Sequence, residues 1–284
     1  MNNDRTSTTI FYERGKAMKK IIVFLLCVFV LVGCTTKKAE VDNNGVVSGN
    51  YTDEMKMEYA VDLDEYGADS VEREGDHPKS PYFAQLDFYN MESTDTLTIL
   101  TNFKTYQQTS EWSCGVVAVM MVLEYYGRLG DWNEETLARL RTNELEPEAT
   151  SLESVLLLFE GVGGFEVDST YDYDPELIWE EITMDMIQDY LQEGIPVIVA
   201  WNDWGGHWQV IIGYDTMGTE TLQDDVIIVA DSYDTTDHNQ DGYGVYPAER
   251  FYYNWTMYDF FQRHYDIDER DLLFAAPRLV EVGE

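Results

Sequence analysis

Residues 107–127 read QQTSEWSCGVVAVMMVLEYYG, a polar loop that runs directly into an apolar helix. Ser113 is expected to cap this helix by accepting hydrogen bonds from the free N–H groups of the first turn. Gly127 can adopt the left-handed conformation that ends many helices. The pattern therefore places Cys114 in the first helical turn. There the positive end of the helix dipole stabilises the thiolate, which is the nucleophilic form of cysteine.

Two interpretations of Cys114 compete, because a buried helical cysteine often acts only as a small hydrophobic residue. The chain has three cysteines. Cys27 lies in the N-terminal apolar run and Cys34 at its end, so Cys114 is the one free thiol expected in the exported protein. Gln108 supplies an amide six residues upstream, and a histidine followed by an acid lies downstream on strand-like segments. Together these features favour a catalytic nucleophile.

A cysteine nucleophile needs a base, and the chain contains four histidines. His207 stands at the start of an apolar strand, directly after two glycines that allow backbone or substrate to approach closely. His77 lies in the predicted N-terminal tether, His264 in the C-terminal segment and His238 in an acidic loop. A lone histidine on a strand is often structural, but the upstream cysteine helix favours His207 as the base.

Three motifs occur in a fixed order along the chain. Gln108 precedes Ser-Cys-Gly in a helix that ends with Tyr-Tyr-Gly, residues 206–215 read GHWQVIIGYD, and residues 229–231 read VAD. In these motifs the chain resembles the C39-like cysteine peptidases, which are papain-fold relatives of the bacteriocin-leader peptidases. The likeness spans about residues 105–277. It implies a papain-like fold and peptidase chemistry.

The resemblance also implies the acid and the group that stabilises the oxyanion. The family's acid follows the strand after the histidine strand. Asp231 occupies that place, although by position alone Asp215 and Asp234 are alternatives. Gln108 is expected to donate its side-chain N–H to the oxyanion, together with the backbone N–H of the nucleophile. Gln107 is the rival for this role, and the six-residue spacing to the cysteine favours Gln108.

Hydrophobic patterns predict helices in the first part of the domain and strands in the second. Residues 150–153 read as a capping box that opens a helix, and residues 182–192 read as an amphipathic helix. Strands are predicted at residues 196–201, 207–214 and 226–230. Helices followed by antiparallel strands are typical of the α+β class. This order agrees with the papain-like arrangement that the resemblance implies, an N-terminal helical half whose nucleophile helix packs on an antiparallel sheet.

The N-terminus predicts an exported and anchored protein. Residues 1–17 do not fit a signal sequence and are expected to be a start-site misassignment. Residues 18–33 fit a signal peptide, with two lysines, an apolar run and Leu-Val-Gly before Cys34. This ending resembles the bacterial lipobox, which implies a lipid on Cys34 and an extracytoplasmic protein anchored to the bacterial cell membrane. Residues 34–80 read as an acidic, flexible tether and residues 81–284 as the peptidase domain.

The strongly negative charge argues against nucleic acid as a partner, and one acidic loop, residues 237–242, resembles part of a calcium site. The formal net charge is −36, which repels nucleic acid. The predicted chemistry requires no cofactor. Asp237, Asn239 and Asp241 alternate before Gly242 as in the first half of a calcium loop, but Ala248 stands where a full EF-hand loop needs glutamate. We therefore expect either a structural calcium ion at this loop or a solvated turn.

Together these features predict a surface-anchored cysteine peptidase that hydrolyses peptide bonds through a Cys-His-Asp triad and a thioester intermediate. Its partners would be a peptide or protein substrate and the membrane that holds the lipid anchor. Two alternatives stay open. One is a catalytically silent peptide-binding lipoprotein with the same fold, and the other is an amidase or transferase that uses the same triad. Labelling of native Cys114 by a thiol-reactive peptide would separate the enzyme from the binder.

Overall fold

In this computed structural model, the described residues are 62–71, 77 and 79–280. The predicted start-site misassignment, the signal peptide and the lipid site Cys34 lie outside them, as does most of the predicted tether. This part of the chain contains seven α-helices and seven β-strands. The helices are α1 (Cys114–Tyr125), α2 (Glu134–Ala138), α3 (Leu152–Val162), α4 (Ile178–Glu181), α5 (Met184–Gln192), α6 (Ala248–Asn254) and α7 (Tyr258–Tyr265). The strands are β1 (Leu97–Ile99), β2 (Phe165–Ser169), β3 (Val197–Trp201), β4 (His207–Asp215), β5 (Val226–Ala230), β6 (Tyr243–Pro247) and β7 (Phe274–Leu279).

Helix α1 is apolar on every side because it lies inside the molecule. All of its residues up to Leu123 are buried, and the helix packs against β4. Gly127 has a φ of 65°, so the predicted left-handed residue after the helix is confirmed. The predicted cap was wrong, because the side chain of Ser113 makes no capping hydrogen bond although Ser113 is the N-cap residue. Its hydroxyl oxygen instead accepts a hydrogen bond of 2.6 Å from the Ser110 hydroxyl.

The strands form one antiparallel sheet in the order β2-β7-β3-β4-β5-β6. Strand β4 is central, since β3 pairs with its first half, β1 with its last residues, and β5 along its other edge. The three predicted strands correspond to β3, β4 and β5. Strand β3 is buried on both faces, which explains its continuous apolar run. Strands β2 and β6 were not predicted, because they lie at the two edges of the sheet and carry partly exposed, mixed side chains.

Helix α3 begins later than the capping-box pattern indicates. Its N-cap is Ser151, whose side chain accepts a hydrogen bond from the backbone N–H of Ser154. The Thr150 hydroxyl instead accepts a hydrogen bond of 3.2 Å from Arg141 Nη1. Gly163 follows the last residue of the helix with a φ of 76°. Because Thr150 Oγ1 binds Arg141, Ser151 and not Thr150 caps the helix.

The predicted α+β class is confirmed. Helices α1, α2 and α3 precede most of the sheet, and α1 packs on the antiparallel strands, as in a papain-like fold. Helices α6 and α7, which were not predicted, lie between the last two strands of the chain. Within residues 62–71, 77 and 79–280, no helix has both the length and the apolar character needed to cross a membrane.

Candidate active site

Cys114 and His207 meet where α1 packs on the sheet. Cys114 is the first residue of α1, and His207 is the first residue of β4. Only 7% and 4% of their surfaces are exposed. Burial by itself raises the pKa of the Cys114 thiol. A hydrogen bond with His207, the charge of that ring and the backbone N–H groups of Trp208 and Gly115 outweigh burial, so this pKa lies below its ordinary value. These contacts favour the thiolate.

His207 also binds Asp231, which directly follows β5. His207 Nε2 lies 2.6 Å from Asp231 Oδ1. Burial disfavours the imidazolium, but the adjacent carboxylate outweighs it and raises the pKa of His207 to about 10. Because Nε2 is bound to the carboxylate, Nδ1 is the ring nitrogen available to the thiol. The structure thus brings together Cys114, His207 and Asp231, with the imidazole hydrogen-bonded to the carboxylate and interacting with the thiol.

The two alternative acids lie in different surroundings. Asp215 ends β4, at the opposite end of the strand from His207. Asp234 Oδ2 accepts a hydrogen bond of 2.9 Å from the backbone N–H of Gly242. Burial and the nearby charge of Asp237 raise the pKa of Asp234 to about 9. Among the described residues, the carboxylate that forms a hydrogen bond or ion pair with His207 is therefore that of Asp231, not that of Asp215 or Asp234.

Two groups that the sequence analysis missed hold the carboxylate of Asp231. Gln209 Nε2 donates to Asp231 Oδ2 at 2.8 Å, and the backbone N–H of Tyr233 donates to Oδ1 at 2.7 Å. Trp201 Nε1 donates to Gln209 Oε1 at 2.7 Å, which fixes the orientation of the amide. Gln209 follows His207 by two residues on β4, so strand alternation places both on one face of the sheet. That alternation is a signal from which the role of Gln209 could have been predicted.

Gln108 is enclosed beside the loop that precedes α1, with 1% of its surface exposed. Its Oε1 accepts a hydrogen bond of 2.7 Å from the Ser232 hydroxyl, and its Nε2 donates to the Ser110 carbonyl at 2.6 Å. The Ser110 hydroxyl in turn donates to Ser113, the N-cap residue of α1. These bonds fix the amide. Its second N–H donates to no acceptor among the described residues.

The side chain of the neighbouring Gln107 lines a small space beside the acid of the candidate triad. Together with Asp231, Asp234 and Asp241 it lines a space of about 10 Å³, and its Nε2 is buried without a hydrogen-bond partner among the described residues. Successive side chains of an extended segment point to opposite sides. The connection to the N-cap of α1 is therefore made by Gln108 and not by Gln107.

A buried carboxylate from α2 supports the same loop. Glu134 has 2% of its surface exposed. It accepts hydrogen bonds from Thr109 N at 3.1 Å and from Thr109 Oγ1 at 2.7 Å. Burial raises the pKa of Glu134 to about 7, against the opposing effect of hydrogen bonds from Ser113 and Thr109. Glu134 thus braces the segment between Gln108 and Cys114. With 54 acidic residues in the chain, nothing in the sequence distinguishes it.

A cleft of about 320 Å³ includes Cys114 in its lining. Part of its wall comes from residues 62–71, which we assigned to the tether. Asp64 N donates to the Thr109 carbonyl at 3.3 Å, and Ala68 N donates to the Gln108 carbonyl at 3.1 Å. This segment is therefore attached to the loop before α1, and the packed part of the chain begins before residue 81. The cleft lining includes Asp64, Tyr66, Glu111, Trp112, Pro147 and Ala149.

A second cavity, of about 660 Å³, has Asp231 in its lining. Trp204 and Tyr233 also line it, with their ring centroids 5.6 Å apart. Trp204 is 58% exposed, which is unusual for so large an apolar side chain. The cysteine and the acid of the candidate triad thus each line a cavity on the surface of the domain.

The loop predicted to bind calcium satisfies its own polar groups. Asp237 Oδ1 accepts a hydrogen bond from Asn239 N, and Asp241 Oδ1 accepts one from Tyr243 N, both at 3.0 Å. The Asn239 side-chain amide donates to the Asp241 carboxylate. Within the described part of the chain, no group of three or more histidine, cysteine, aspartate or glutamate side chains is arranged to hold a metal ion. These residues do not form a preformed calcium site in the described part of the chain, and calcium binding stays a prediction.

Chelation tests that prediction. If the loop binds calcium, the ion stabilises the protein because only the folded state holds it. Starting from free calcium at a hundred times its Kd, millimolar EDTA should then lower the melting temperature by about 5–10 °C. Asp241→Ala should abolish the difference between the melting curves with and without EDTA. Identical melting temperatures with calcium and with EDTA in the wild type would leave the loop as a turn.

Comparison with known protein families agrees with this geometry. Residues 100–261, more than half of the chain, match the family model described as Peptidase_C39 like family. The matched range contains Gln108, Cys114, His207 and Asp231. No significant match to a curated protein was found. The chain therefore belongs to the C39-like peptidase family, and this membership indicates cysteine peptidase activity at the level of the family.

Proposed function

We propose that the chain hydrolyses peptide bonds, with Cys114 as the nucleophile, His207 as the base and then the acid, and Asp231 as the residue that orients the histidine. The observation that carries the proposal is the buried group of these three side chains, in which Asp231 binds the imidazole that acts on the thiol, with the cysteine in the lining of a cleft. A purely structural cysteine needs no such partners. The directions of the pKa changes support the same pair, because a lowered thiol pKa and a raised imidazole pKa let thiolate and imidazolium coexist.

Each step of the reaction follows from that pair. The Cys114 sulfur attacks the carbonyl carbon of the scissile peptide. The C–N bond then breaks as His207 gives its proton to the leaving amine, which leaves the acyl group on sulfur as a thioester. His207 next takes a proton from water, and the resulting hydroxide attacks the thioester. The carboxylic acid product departs, and the thiolate and imidazolium are restored. Asp231 holds the ring throughout by its bond to Nε2.

Gln108 would stabilise the tetrahedral intermediate of both halves of the reaction. Its second N–H and the backbone N–H of Cys114 are the proposed oxyanion donors. Ser232 and Ser110 hold the amide in place before substrate arrives. Donors that are already oriented need no reorganisation when negative charge develops, which is why such sites are effective. Glu134 supports this arrangement by fixing the intervening Thr109.

A thiol-reactive peptide tests the proposed function. A peptidyl vinyl sulfone should label Cys114 in the native protein, and peptide mapping should locate the adduct. His207→Ala should slow the labelling strongly, because the base that maintains the thiolate is lost. The same protein should cleave members of a peptide library and leave free carboxylates at the new ends.

Three other results would favour a peptide-binding module, a transferase or an amidase instead. Labelling of Cys114 only after the protein unfolds would contradict the proposal and favour a peptide-binding module. Products whose new ends carry an added amine instead of a carboxylate would indicate a transferase that uses the same thioester. Cleavage of side-chain amides without cleavage of backbone peptides would indicate an amidase.

We further propose that the protein is anchored outside the cytoplasm by a lipid on Cys34. Lys19 and Lys20, the apolar run that follows and the Leu-Val-Gly-Cys ending at Cys34 support this. One acyl chain gives only marginal membrane binding, so stable attachment relies on the several chains of a bacterial lipoprotein. Most of the tether would then separate the domain from the bilayer.

Replacement of Cys34 tests the anchor. The wild-type protein should partition into the detergent phase, whereas Cys34→Ser should remain unprocessed or be released into the medium, because the lipidated thiol is absent. Phase partitioning and mass spectrometry of the N-terminal peptide measure the difference. Unchanged, salt-resistant membrane retention of a processed Cys34→Ser protein would rule out this anchor.

A further inference from the structure

Arg141 is a buried guanidinium in a chain that has only 18 lysines and arginines. It has 3% of its surface exposed. Its Nε donates to the Glu144 carbonyl at 2.8 Å, Nη2 to the Glu146 carbonyl at 2.9 Å, and Nη1 to the Glu148 carbonyl at 2.9 Å and to Thr150 Oγ1 at 3.2 Å. These acceptors are neutral. Among the described residues, no carboxylate forms an ion pair with Arg141.

The loop that Arg141 holds is part of the candidate active site. Pro147 and Ala149, both in this loop, line the cleft that contains Cys114. Five N–H donors in a rigid, planar fork can fix several carbonyls of one loop at once, which a lysine cannot do. Arg141 therefore fixes one wall of the cleft.

Thr150, at the end of the same loop, contacts both halves of the candidate site. A Cβ at Gly115 would lie 2.9 Å from Thr150 Cβ and 3.0 Å from Trp208 Cδ1, so these three residues are in close contact. Trp208 Nε1 also donates to the Thr150 carbonyl at 2.7 Å. Gly115 follows Cys114, and Trp208 follows the histidine of the pair. The position of Thr150 therefore helps to set how α1 sits against β4.

The guanidinium of Arg141 packs against the segment that leads into Cys114. Its guanidinium carbon is 4.2 Å from the ring centroid of Trp112, which lines the cleft and precedes Cys114 by two residues. Burial lowers the pKa of Arg141 to about 10, and attraction to the Cys114 thiolate and to the Glu148 carboxylate opposes this lowering. A buried cation without a carboxylate partner is costly unless other negative charge or dipoles compensate it. The loop carbonyls, the thiolate and the charge of the Glu148 carboxylate provide that compensation.

We propose that Arg141 is a positioning residue of this active site, which holds the loop of residues 144–150 through its donor fork and stabilises the Cys114 thiolate through its buried charge. The inference rests on the proposed function, because it assigns Arg141 a role in that reaction. Arg141 touches neither the scissile bond nor the proton in transfer. The fork governs the shape of the cleft, and the charge governs the fraction of thiol that is ionised.

Two substitutions separate the fork from the charge. Arg141→Gln removes both the charge and the fork, whereas Arg141→Lys keeps the charge and loses the fork, so the difference between the two variants reports the effect of the charge. The other charged or titratable groups around the thiol are His207 from β4 and, in the cleft lining, the carboxylates Asp64 and Glu111 and the phenols of Tyr66 and Tyr265. Both variants leave them unchanged. The matched control is Arg139→Gln. Arg139 precedes Arg141 by two residues, and its side chain is exposed and paired with Glu135, so this variant removes the same charge from the surface.

Iodoacetamide alkylation of Cys114 as a function of pH measures the charge effect without a peptide substrate. Arg141→Gln should raise the apparent thiol pKa by about one unit and slow alkylation near pH 6 about tenfold. Arg139→Gln should change the rate less than about twofold, because its exposed charge is screened. Arg141→Lys should keep the wild-type pH profile but raise KM for a cleaved peptide about fivefold, because the cleft wall loosens.

A folded Arg141→Gln protein with the wild-type pH profile would overturn the proposal and make Arg141 a structural residue. If Arg141→Gln does not fold, Arg141→Lys decides. An unchanged pH profile with a raised KM supports the proposal, whereas a shifted profile or an unchanged KM overturns it. A wild-type thiol that alkylates like free cysteine would overturn both this inference and the proposed function. A wild type that cleaves no peptide, combined with a shifted profile in Arg141→Gln, would refute only the proposed function.

Discussion

Cys114→Ala is expected to abolish peptide cleavage while the domain stays folded. Removing the nucleophile of a catalytic triad lowers kcat by up to about 10⁶-fold, because no other group can form the covalent intermediate. Alanine fits the buried first turn of α1, and the bond between His207 and Asp231 does not depend on sulfur. Circular dichroism and a melting curve should therefore stay close to those of the wild type. The measurement is the rate of cleavage of a peptide selected with the wild-type protein.

Cys34→Ser is the matched control for Cys114→Ala. It also removes one thiol, but at the proposed lipid site, and it should leave the rate of cleavage by detergent-free protein unchanged. Cleavage by purified Cys114→Ala at more than about a thousandth of the wild-type rate would contradict the assignment of Cys114, because a triad without its nucleophile retains only residual activity.

Gln108→Ala should lower the rate of peptide turnover by about 10²- to 10³-fold, the usual effect of losing one oxyanion donor. Alkylation of Cys114 by iodoacetamide should stay close to the wild-type rate, since that reaction forms no oxyanion. Ser110 and Ser232 would each lose a hydrogen-bond partner, so the alkylation rate also shows whether the site is still assembled.

Gln107→Ala is the control that decides between the adjacent amides. The side-chain Nε2 of Gln107 has no hydrogen-bond partner among the described residues, so turnover should fall little. A large loss of turnover in Gln107→Ala with normal turnover in Gln108→Ala would reverse the assignment. Equal and parallel losses of turnover and alkylation in Gln108→Ala would indicate that Gln108 acts by supporting the loop.

The parts of the fold that the sequence predicted are those specified by local patterns. The apolar run of α1 ends at Gly127, whose left-handed φ needs no tertiary partner. Strand β3 reads as a continuous apolar run because both of its faces are buried. Cys114 and His207 could be singled out because cysteine and histidine are rare in this chain, so that their positions carry information.

The parts that were missed depend on contacts between residues distant in the chain. Glu134 is one of 54 acidic residues, and only its burial distinguishes it. Gln209 could have been predicted from its alternation with His207, but its bond to Trp201 needs the pairing of β3 with β4. Thr150 fits a capping-box pattern, yet its hydroxyl accepts from Arg141 and leaves the cap to its neighbour.

Residues 62–71 show the same limit at the level of domain boundaries. Their acidic, weakly patterned sequence is typical of a tether. Ala68 is nevertheless fully buried, and Gly67 lies so close to Thr109 that a Cβ there would be 2.2 Å from its carbonyl carbon. Shape complementarity of this kind leaves no periodic signal, so a boundary drawn from composition falls too late in the chain.

The most direct test of the central claim is the pH dependence of Cys114 alkylation in the native protein. The thiolate persists as the pH falls until it reaches the lowered pKa of Cys114, and the imidazolium persists as the pH rises to about 10, the pKa of His207. Alkylation by iodoacetamide should therefore stay fast near pH 6, well below the ~8.5 at which a free cysteine is half ionised. His207→Ala should return the profile towards that of a free thiol. A Cys114 that reacts only above about pH 8, or only after the protein unfolds, would contradict the claim and identify it as a core residue.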